Sequence, residues 1–331
     1  MTNLTTNYMG LTLKNPLIAA SSGLTNSLSD IKELEANGAS AVVLKSLFEE
    51  EIIMETQDNL NKMRASGFIY PETIEYFDFE EMEDPVANFL KLITDAKSAV
   101  KIPIIASINC VTSEKWPDFA KRIEDAGADA LELNIFSLPT DLNRTAEENE
   151  KLFFDIIEKV TRIVTIPIAV KISPYNASLA SFIKRLSSTQ IKAIVLFNRF
   201  YSPDFDIYNY EFTTTNVFSS PSELALTLRW IAIMAERVPC NLAATTGIHD
   251  GFALVKVLLA GAEVGQVAST LYRNGLEQIQ VILNQLEEWM QEKGFKSIDE
   301  FRGKMSQTRT YNPAAFERVQ FMRFFREMGR M

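Results

Sequence analysis

Short runs of β-branched and small apolar residues recur along this chain, and amphipathic segments separate them. Runs that are apolar throughout predict parallel strands covered on both faces. The predicted strands are residues 16–21, 41–46, 102–108, 130–135, 167–172, 193–198, 240–246 and 263–268. The predicted helices are residues 29–38, 85–100, 115–126, 145–164, 177–188, 221–237, 249–260 and 273–293. Strand and helix alternate eight times, which predicts an α/β fold of the (β/α)8 barrel type.

Many of the predicted strands end in polar residues that a buried core does not need. These residues are Lys45, Ser46, Asn109, Asn134, Lys171, Asn198, Thr245 and Thr246. In a (β/α)8 barrel the carboxyl ends of all strands meet on one face, so the pattern predicts a shared active site and therefore an enzyme. Long segments at 47–84, 136–148 and 199–220 follow the second, fourth and sixth strands. We expect them to lie over that face.

Length and charge narrow the class of protein. The 331 residues exceed the ~250 that a barrel needs, so one domain spanning 1–331 with long loops is expected. The net charge of −10 disfavours nucleic acid as a partner. No apolar run approaches the ~20 residues of a membrane span, and the N-terminus has no secretory pattern, so the expected location is cytoplasmic. The two cysteines are far apart, and no metal site is predicted.

Several longer stretches carry a more specific signal. They read LKNPLIAASSG, VVLKS, ASIN, GADALELN, IPIAVKISP, TTGI and LLAGAEVGQVASTLYRNG. In this order they make the chain resemble the dihydroorotate dehydrogenase family over nearly its whole length. Members of that family are flavin mononucleotide (FMN) enzymes on a TIM barrel that oxidise dihydroorotate to orotate in pyrimidine synthesis. The resemblance implies an oxidoreductase acting on CH–CH groups, of the kind without a membrane segment, and a homodimer.

The resemblance also implies residues for each part of FMN. Lys171 matches the family lysine at the pyrimidine edge of the flavin, where a fixed cation stabilises developing negative charge. Turns after strands seven and eight commonly bind phosphate through backbone N–H groups, and here they hold Thr246-Gly247 and Ala268-Ser269. The other expected FMN contacts are Ala20, Ser21, Lys45, Ser46, Asn109, Asn134 and Asn198. The alternative to ligand binding is that Lys45 and Lys171 are solvated surface lysines and that Thr246-Gly247 is an ordinary strand-to-helix turn.

The loop after the fourth strand is where the family places its catalytic base. Ser137 lies three residues after Asn134, at the position of that base. It is expected to take a proton from the substrate carbon next to the one that gives up hydride, while Lys171 balances charge on the ring. Phe136 and Leu138-Pro139 depart from the family pattern in this loop. Serine is a weak base, so this role needs a proton path to water.

Two arginines also depart from the family pattern. Arg64 and Arg199 occupy positions where the family has an asparagine and a small hydroxyl residue. Together with Asn134 and Asn198 they are the predicted substrate contacts. One interpretation is a pocket for a more anionic substrate, since arginine binds carboxylates through two hydrogen bonds. The other is that the arginines pair with acidic loop residues, namely Glu72, Glu75 or Asp204.

Three functions remain open on this reading of the sequence. The first is oxidation of dihydroorotate by a bound FMN. The second is the same flavin chemistry on another small carboxylate, because the altered loop residues weaken the match to the family's substrate site. The third is a flavin-binding protein without catalysis.

Overall fold

The computed structural model describes residues 2–48, 85–109, 116–135, 138–200, 202–215 and 217–317. The strands are β1 (Thr6–Tyr8), β2 (Leu11–Leu13), β3 (Leu17–Ala19), β4 (Val42–Val43), β5 (Leu47–Phe48), β6 (Ile104–Asn109), β7 (Ala130–Asn134), β8 (Ile168–Ile172), β9 (Ala193–Leu196), β10 (Ser202–Asp206), β11 (Glu211–Thr215), β12 (Asn241–Thr245) and β13 (Val264–Val267). The helices are α1 (Leu28–Ala36), α2 (Pro85–Ala99), α3 (Trp116–Asp125), α4 (Ala146–Thr161), α5 (Leu179–Ser187), α6 (Leu224–Met234), α7 (Gly251–Ala260), α8 (Ser269–Asn274) and α9 (Gln278–Lys293).

Eight parallel strands close into a barrel. Their order around it is β3, β4, β6, β7, β8, β9, β12 and β13, and the ring is complete because β13 pairs with β3 and β4 pairs with β6. Short β5 extends the ladder of β6 beyond the end of β4. The predicted (β/α)8 fold is confirmed, and every predicted strand overlaps an observed barrel strand.

The barrel wall separates two apolar clusters. Outward residues of the strands, such as Leu131 and Val170, pack with buried residues of the surrounding helices. Inward residues form a second cluster of small and branched side chains: Ile18, Ala41, Val43, Ile105, Ala130, Ala169, Ala193, Val195, Ala243 and Val264. Many of these are alanines, which leaves room inside the barrel for larger side chains from elsewhere.

A hairpin that the sequence did not predict closes the amino-terminal end of the barrel. Strands β1 and β2 pair antiparallel there. The backbone N–H of Met9 donates to Asn241 Oδ1 at 2.8 Å, and Thr6 Oγ1 donates to the carbonyl of Glu263 at 3.3 Å. Tyr8 enters the inner cluster and is fully buried. The hairpin therefore plugs the end opposite to the predicted site.

Local residue chemistry sets several helix ends. Ser27 caps α1, Asp250 caps α7, and Thr145 with Glu148 forms a capping box at the start of α4. The helix predicted over 273–293 is observed as α9, but its predicted start is wrong, because a separate short helix, α8, ends before Gly275, whose φ is +83°. None of the helices within the described residues has the length and apolar character that a membrane crossing requires.

Candidate active site

A cleft of about 300 Å³ opens at the carboxyl ends of the barrel strands. This volume falls within the range of small-ligand sites. Nine of the predicted site residues line it: Ala20, Ser21, Lys171, Asn198, Arg199, Thr246, Gly247, Ala268 and Ser269. Residues from the first, fifth, sixth, seventh and eighth barrel strands therefore meet at one place, as the shared-face argument predicts.

Lys45 and Ser46 line a neighbouring cavity of about 230 Å³. Hydrogen bonds connect residues that line the two cavities. The Ser46 backbone N–H donates to Ser21 Oγ at 2.9 Å, and the hydroxyl oxygens of these two serines are 3.2 Å apart. Ser46 Oγ also lies 2.7 Å from Ser107 Oγ inside the barrel. Lys45 and Lys171 are thus on the same end of the barrel, although they do not line the same cavity.

The strand register brings the predicted amides beside Lys171. Asn134 is the direct neighbour of Lys171 across the pair formed by β7 and β8. Asn198 Nδ2 donates to Asn134 Oδ1 at 2.5 Å, and the backbone N–H of Asn198 donates to the Ile172 carbonyl at 2.8 Å. Asn109 ends β6 and is 5% exposed. These side chains form a polar rim from the third to the sixth barrel strand.

Below this rim the barrel interior holds polar residues that the sequence analysis missed. Glu132 accepts a hydrogen bond from Gln266 Nε2 at 2.9 Å and lies 3.8 Å from Lys171 Nζ. Glu132 and Gln266 are each 1% exposed. The expectation that each strand is apolar on both faces is wrong for β7 and β13. Alternation along β7 is the signal, since Ala130, Glu132 and Asn134 must share one face.

The far end of the cleft contains the predicted phosphate turns. Thr246 and Gly247 have φ values of +74° and +82°. A Cβ on Gly247 would lie 2.3 Å from the backbone nitrogen of Leu224, so only glycine fits there. Ser269 Oγ accepts from the backbone N–H of Ser219 at 3.0 Å, which ties the turn after β13 to the segment before α6.

His249 supports this same end of the cleft. Its Nε2 lies 3.1 Å from Ser219 Oγ. Burial, and secondly the nearby charge of Arg273, lower the pKa of the His249 imidazole below its usual value. The ring therefore favours its neutral form. This histidine is half-buried, and its contact with Ser219 places it next to the segment that precedes α6.

Arg199 lines the cleft and is also paired with a carboxylate. Its Nε donates to Glu223 Oε2 at 2.7 Å, and its Nη1 donates to the Val217 carbonyl at 3.0 Å. Burial raises the pKa of Glu223, but hydrogen bonds from Arg199 and Ser220 outweigh that effect and lower it. The interpretation that Arg199 pairs with an acidic residue is therefore supported, and its partner is Glu223, not one of the acidic residues predicted from the sequence.

Some predicted residues lie outside the described part of the chain. They are Ser137, Arg64, Glu72 and Glu75. Their roles therefore stay predictions.

The described residues fit a ligand such as FMN. The ammonium of Lys171 lies at one part of the cleft, and the turns at Gly247 and Ser269 lie at another part of the same cleft. Gln266 also lines it, and its buried Oε1 has no hydrogen-bond partner among the described residues. Lys171 and the amide of Gln266 suit a ring that forms hydrogen bonds. The turns at Gly247 and Ser269 suit a phosphate group attached to that ring.

Comparisons with known proteins agree with the geometry. The family model described as dihydroorotate dehydrogenase matches residues 3–290. A dihydroorotate dehydrogenase B (NAD(+)), catalytic subunit, from Thermoplasma volcanium is 27% identical over 313 residues, covering 92% of this chain and 98% of that protein. The subunit of the same name from Alkaliphilus metalliredigens is 25% identical over 314 residues, covering 92% of this chain and 99% of its own length.

Proposed function

The chain belongs to the dihydroorotate dehydrogenase family, and from this premise we propose that it oxidises dihydroorotate to orotate with FMN as its cofactor. Proteins of this family are flavin-dependent oxidoreductases that act on CH–CH groups. The observation that carries the proposal is the convergence of Lys171, Asn198 and the turns at Gly247 and Ser269 on one cleft. This set of residues comes from four separate strand ends, and it supplies a cation and phosphate-type donors together.

Each part of the chain has a defined task in this reaction. When bound, FMN supplies the acceptor for the hydride that leaves the substrate. Lys171 holds a positive charge beside the cofactor, and Asn134 and Asn198 orient the substrate through their amide groups. The turns at Thr246-Gly247 and Ala268-Ser269 hold the phosphate. Ser137 takes the substrate proton, and this role requires a route for that proton to water.

The second candidate is oxidation of a different small carboxylate. It is favoured by Arg199, a guanidinium that lines the cleft. The pairing of Arg199 with Glu223 and with the Val217 carbonyl weighs against it, because both interactions occupy donors that an anionic substrate would need. Dihydroorotate therefore remains the first choice.

The proposal extends to a partner and to an electron acceptor. The relatives from Thermoplasma and Alkaliphilus are named as catalytic subunits of NAD(+) enzymes. We infer that this chain also works with a further subunit that passes electrons on to NAD+, and that the chain itself forms the homodimer expected from the sequence. Affinity purification of the tagged chain from its native cells, followed by mass measurement of the intact assembly, tests both points.

Anaerobic titration is the experiment that decides the substrate. The purified protein should be yellow, and stepwise dihydroorotate should bleach the flavin absorbance to completion. A panel of other small carboxylates serves as the comparison. Arg199→Ala should leave the dihydroorotate concentration at half-bleaching nearly unchanged. Complete bleaching by another carboxylate, lost in Arg199→Ala, would instead establish the second candidate, and a colourless protein that takes up no FMN would refute both.

A further inference from the structure

A carboxylate is buried inside the barrel, directly below the cleft. The Glu132 side chain is 1% exposed. Its Oε2 accepts a hydrogen bond from Gln266 Nε2 at 2.9 Å, whereas its Oε1 has no hydrogen-bond partner among the described residues. A charge removed from water is strongly unfavourable unless an opposite charge lies close to it. Glu132 therefore needs a cation nearby.

Lys171 is the cation that meets this need. Its Nζ lies 3.8 Å from Glu132 Oε1, and its own side chain is 11% exposed. This distance permits an ion pair but is too long for a hydrogen bond. The hydrogen-bond donors of Lys171 are therefore not used by Glu132 and remain available to the cleft that the lysine lines.

Among the described residues, the neighbours Gln266 and Tyr8 surround Glu132 without adding a positive charge. Gln266 binds one oxygen and also lines the cleft. Beneath them lies Tyr8, whose pKa is raised well above its ordinary value by burial and by the charge of Glu132. Tyr8 is therefore a neutral phenol. Within the described part of the chain, Lys171 is the cation that lies at ion-pair distance from Glu132.

We propose that Glu132 is a positioning residue for Lys171, which aims the ammonium at the cleft and offsets part of its charge there. The proposal rests on the proposed function, because it requires a ligand at Lys171 that gains electrons. An offset cation stabilises the reduced flavin less than a free cation does. Glu132 thus limits how strongly the protein favours the reduced cofactor over the oxidised one.

The test compares the wild type with Glu132→Gln, Glu132→Asp and a control. Glu150→Gln is the matched control, since Glu150 is also buried and ion-paired, with Arg185, but lies on α4 outside the barrel. The readouts are the midpoint potential of the bound flavin, the dissociation constant of oxidised FMN, and the melting temperature. The last of these separates loss of stability from a change in the cofactor.

Glu132→Gln should move the midpoint potential to a more positive value. The ratio of affinities for reduced and oxidised FMN should rise by about tenfold, as expected when one nearby charge is removed in a partly screened interior. Glu132→Asp keeps the charge but sets it farther away, so its shift should have the same direction and a smaller size. If Glu132→Gln does not fold, the Glu132→Asp shift decides. Glu150→Gln should lower the melting temperature without changing the potential.

A potential equal to that of the wild type in the Glu132 variants would overturn the inference. If the wild type itself takes up no FMN, the proposed function fails separately, and crystal structures of the cofactor-free proteins then decide. Displacement of Lys171 Nζ in Glu132→Gln from its wild-type place would support a positioning role. An unmoved Lys171 would show that Glu132 serves the fold alone.

Discussion

The two sides of the barrel wall are built from opposite kinds of residue. The outer side is a continuous apolar layer shared with the helices, to which Leu131, Leu133 and Val170 belong. The inner side changes from alanines and branched residues near the plugged end to Glu132, Gln266 and Lys171 near the cleft. Burial of apolar surface outside stabilises the fold, and that stability allows charged residues to be held in the interior.

This contrast separates substitutions that change the cofactor chemistry from those that change stability alone. An interior substitution near the cleft should alter both the cofactor chemistry and the free energy of unfolding, because the charged residues there stabilise one another. An outer substitution should alter only the free energy of unfolding. Four variants test this division, beginning with the largest expected effect.

Lys171→Met should have the largest effect, and on both properties. Loss of the ammonium should slow flavin reduction by dihydroorotate about 10²–10³-fold, as when another preorganised electrostatic group is removed from an active site. It also leaves Glu132 buried without its countercharge, so the free energy of unfolding should fall by about 3–5 kcal/mol. Stopped-flow absorbance and urea unfolding measure the two effects.

The double variant Lys171→Met/Glu132→Gln provides the control for this result. It removes both charges, so it should recover much of the lost stability while the reaction stays slow. Equal stability of the single and double variants would contradict the ion pair.

Leu286→Ala tests the outer layer. Leu286 lies on α9 and is fully buried in the outer cluster. Truncation should lower the free energy of unfolding by about 2–5 kcal/mol. The midpoint potential and the rate of flavin reduction should remain those of the wild type. A changed potential would show that the two sides of the wall are not independent.

Gly247→Ala tests the turn at the phosphate end of the cleft. The positive φ of Gly247 should cost about 1–2 kcal/mol for alanine. The approach of its Cβ to Leu224, at 2.3 Å, should displace the turn as well and weaken FMN binding. Gly294→Ala is the matched control, because Gly294 also has a positive φ but has open space around its Cβ. Fluorescence titration with FMN should find weaker binding in the first variant only.

Glu124→Gln should give the smallest effect, and that effect should be present at neutral pH and decrease in acid. Burial raises the pKa of Glu124, but hydrogen bonds from Lys121, Thr165 and Ile166 outweigh it and lower the pKa to about 2 from 4.5. A depressed carboxyl pKa contributes stability that is present above the unfolded value and is lost as the pH falls toward 2. Urea unfolding of the wild type and the variant at pH 7 and pH 3 should therefore differ more at pH 7. An equal difference in stability at pH 7 and pH 3 would contradict the low pKa of Glu124.

The fold could be predicted from the sequence because its signals are local and repeated. Apolar runs and helical periodicity predict eight strands and helices, and the polar strand ends predict the cleft. The missed hairpin formed by β10 and β11 has a different character. Its Phe205, Tyr208 and Phe212 are largely exposed, so no buried face created a periodic pattern to detect.

The lining of the cleft was predictable where residues follow strands and was missed where they face one another across the barrel. Lys171 and Asn198 follow apolar runs, and that position alone predicts that they line the cleft. The contact between Glu132 and Gln266 joins residues 134 positions apart, and neither residue stands at a strand end. Likewise, Glu223 as the partner of Arg199 depends on how the segment before α6 returns to the cleft. Such pairings depend on how the strands and loops come together in three dimensions. The spacing of apolar residues along the sequence does not predict them.

The hairpin of β1 and β2 has a consequence for traffic through the molecule. Tyr8, Met9 and Leu13 are buried in the inner cluster at the amino-terminal end of the barrel. Among the described residues, these side chains close that end to ligands. Access to the cleft therefore lies at the carboxyl ends of the strands, where Lys171, Asn198 and Gly247 line it.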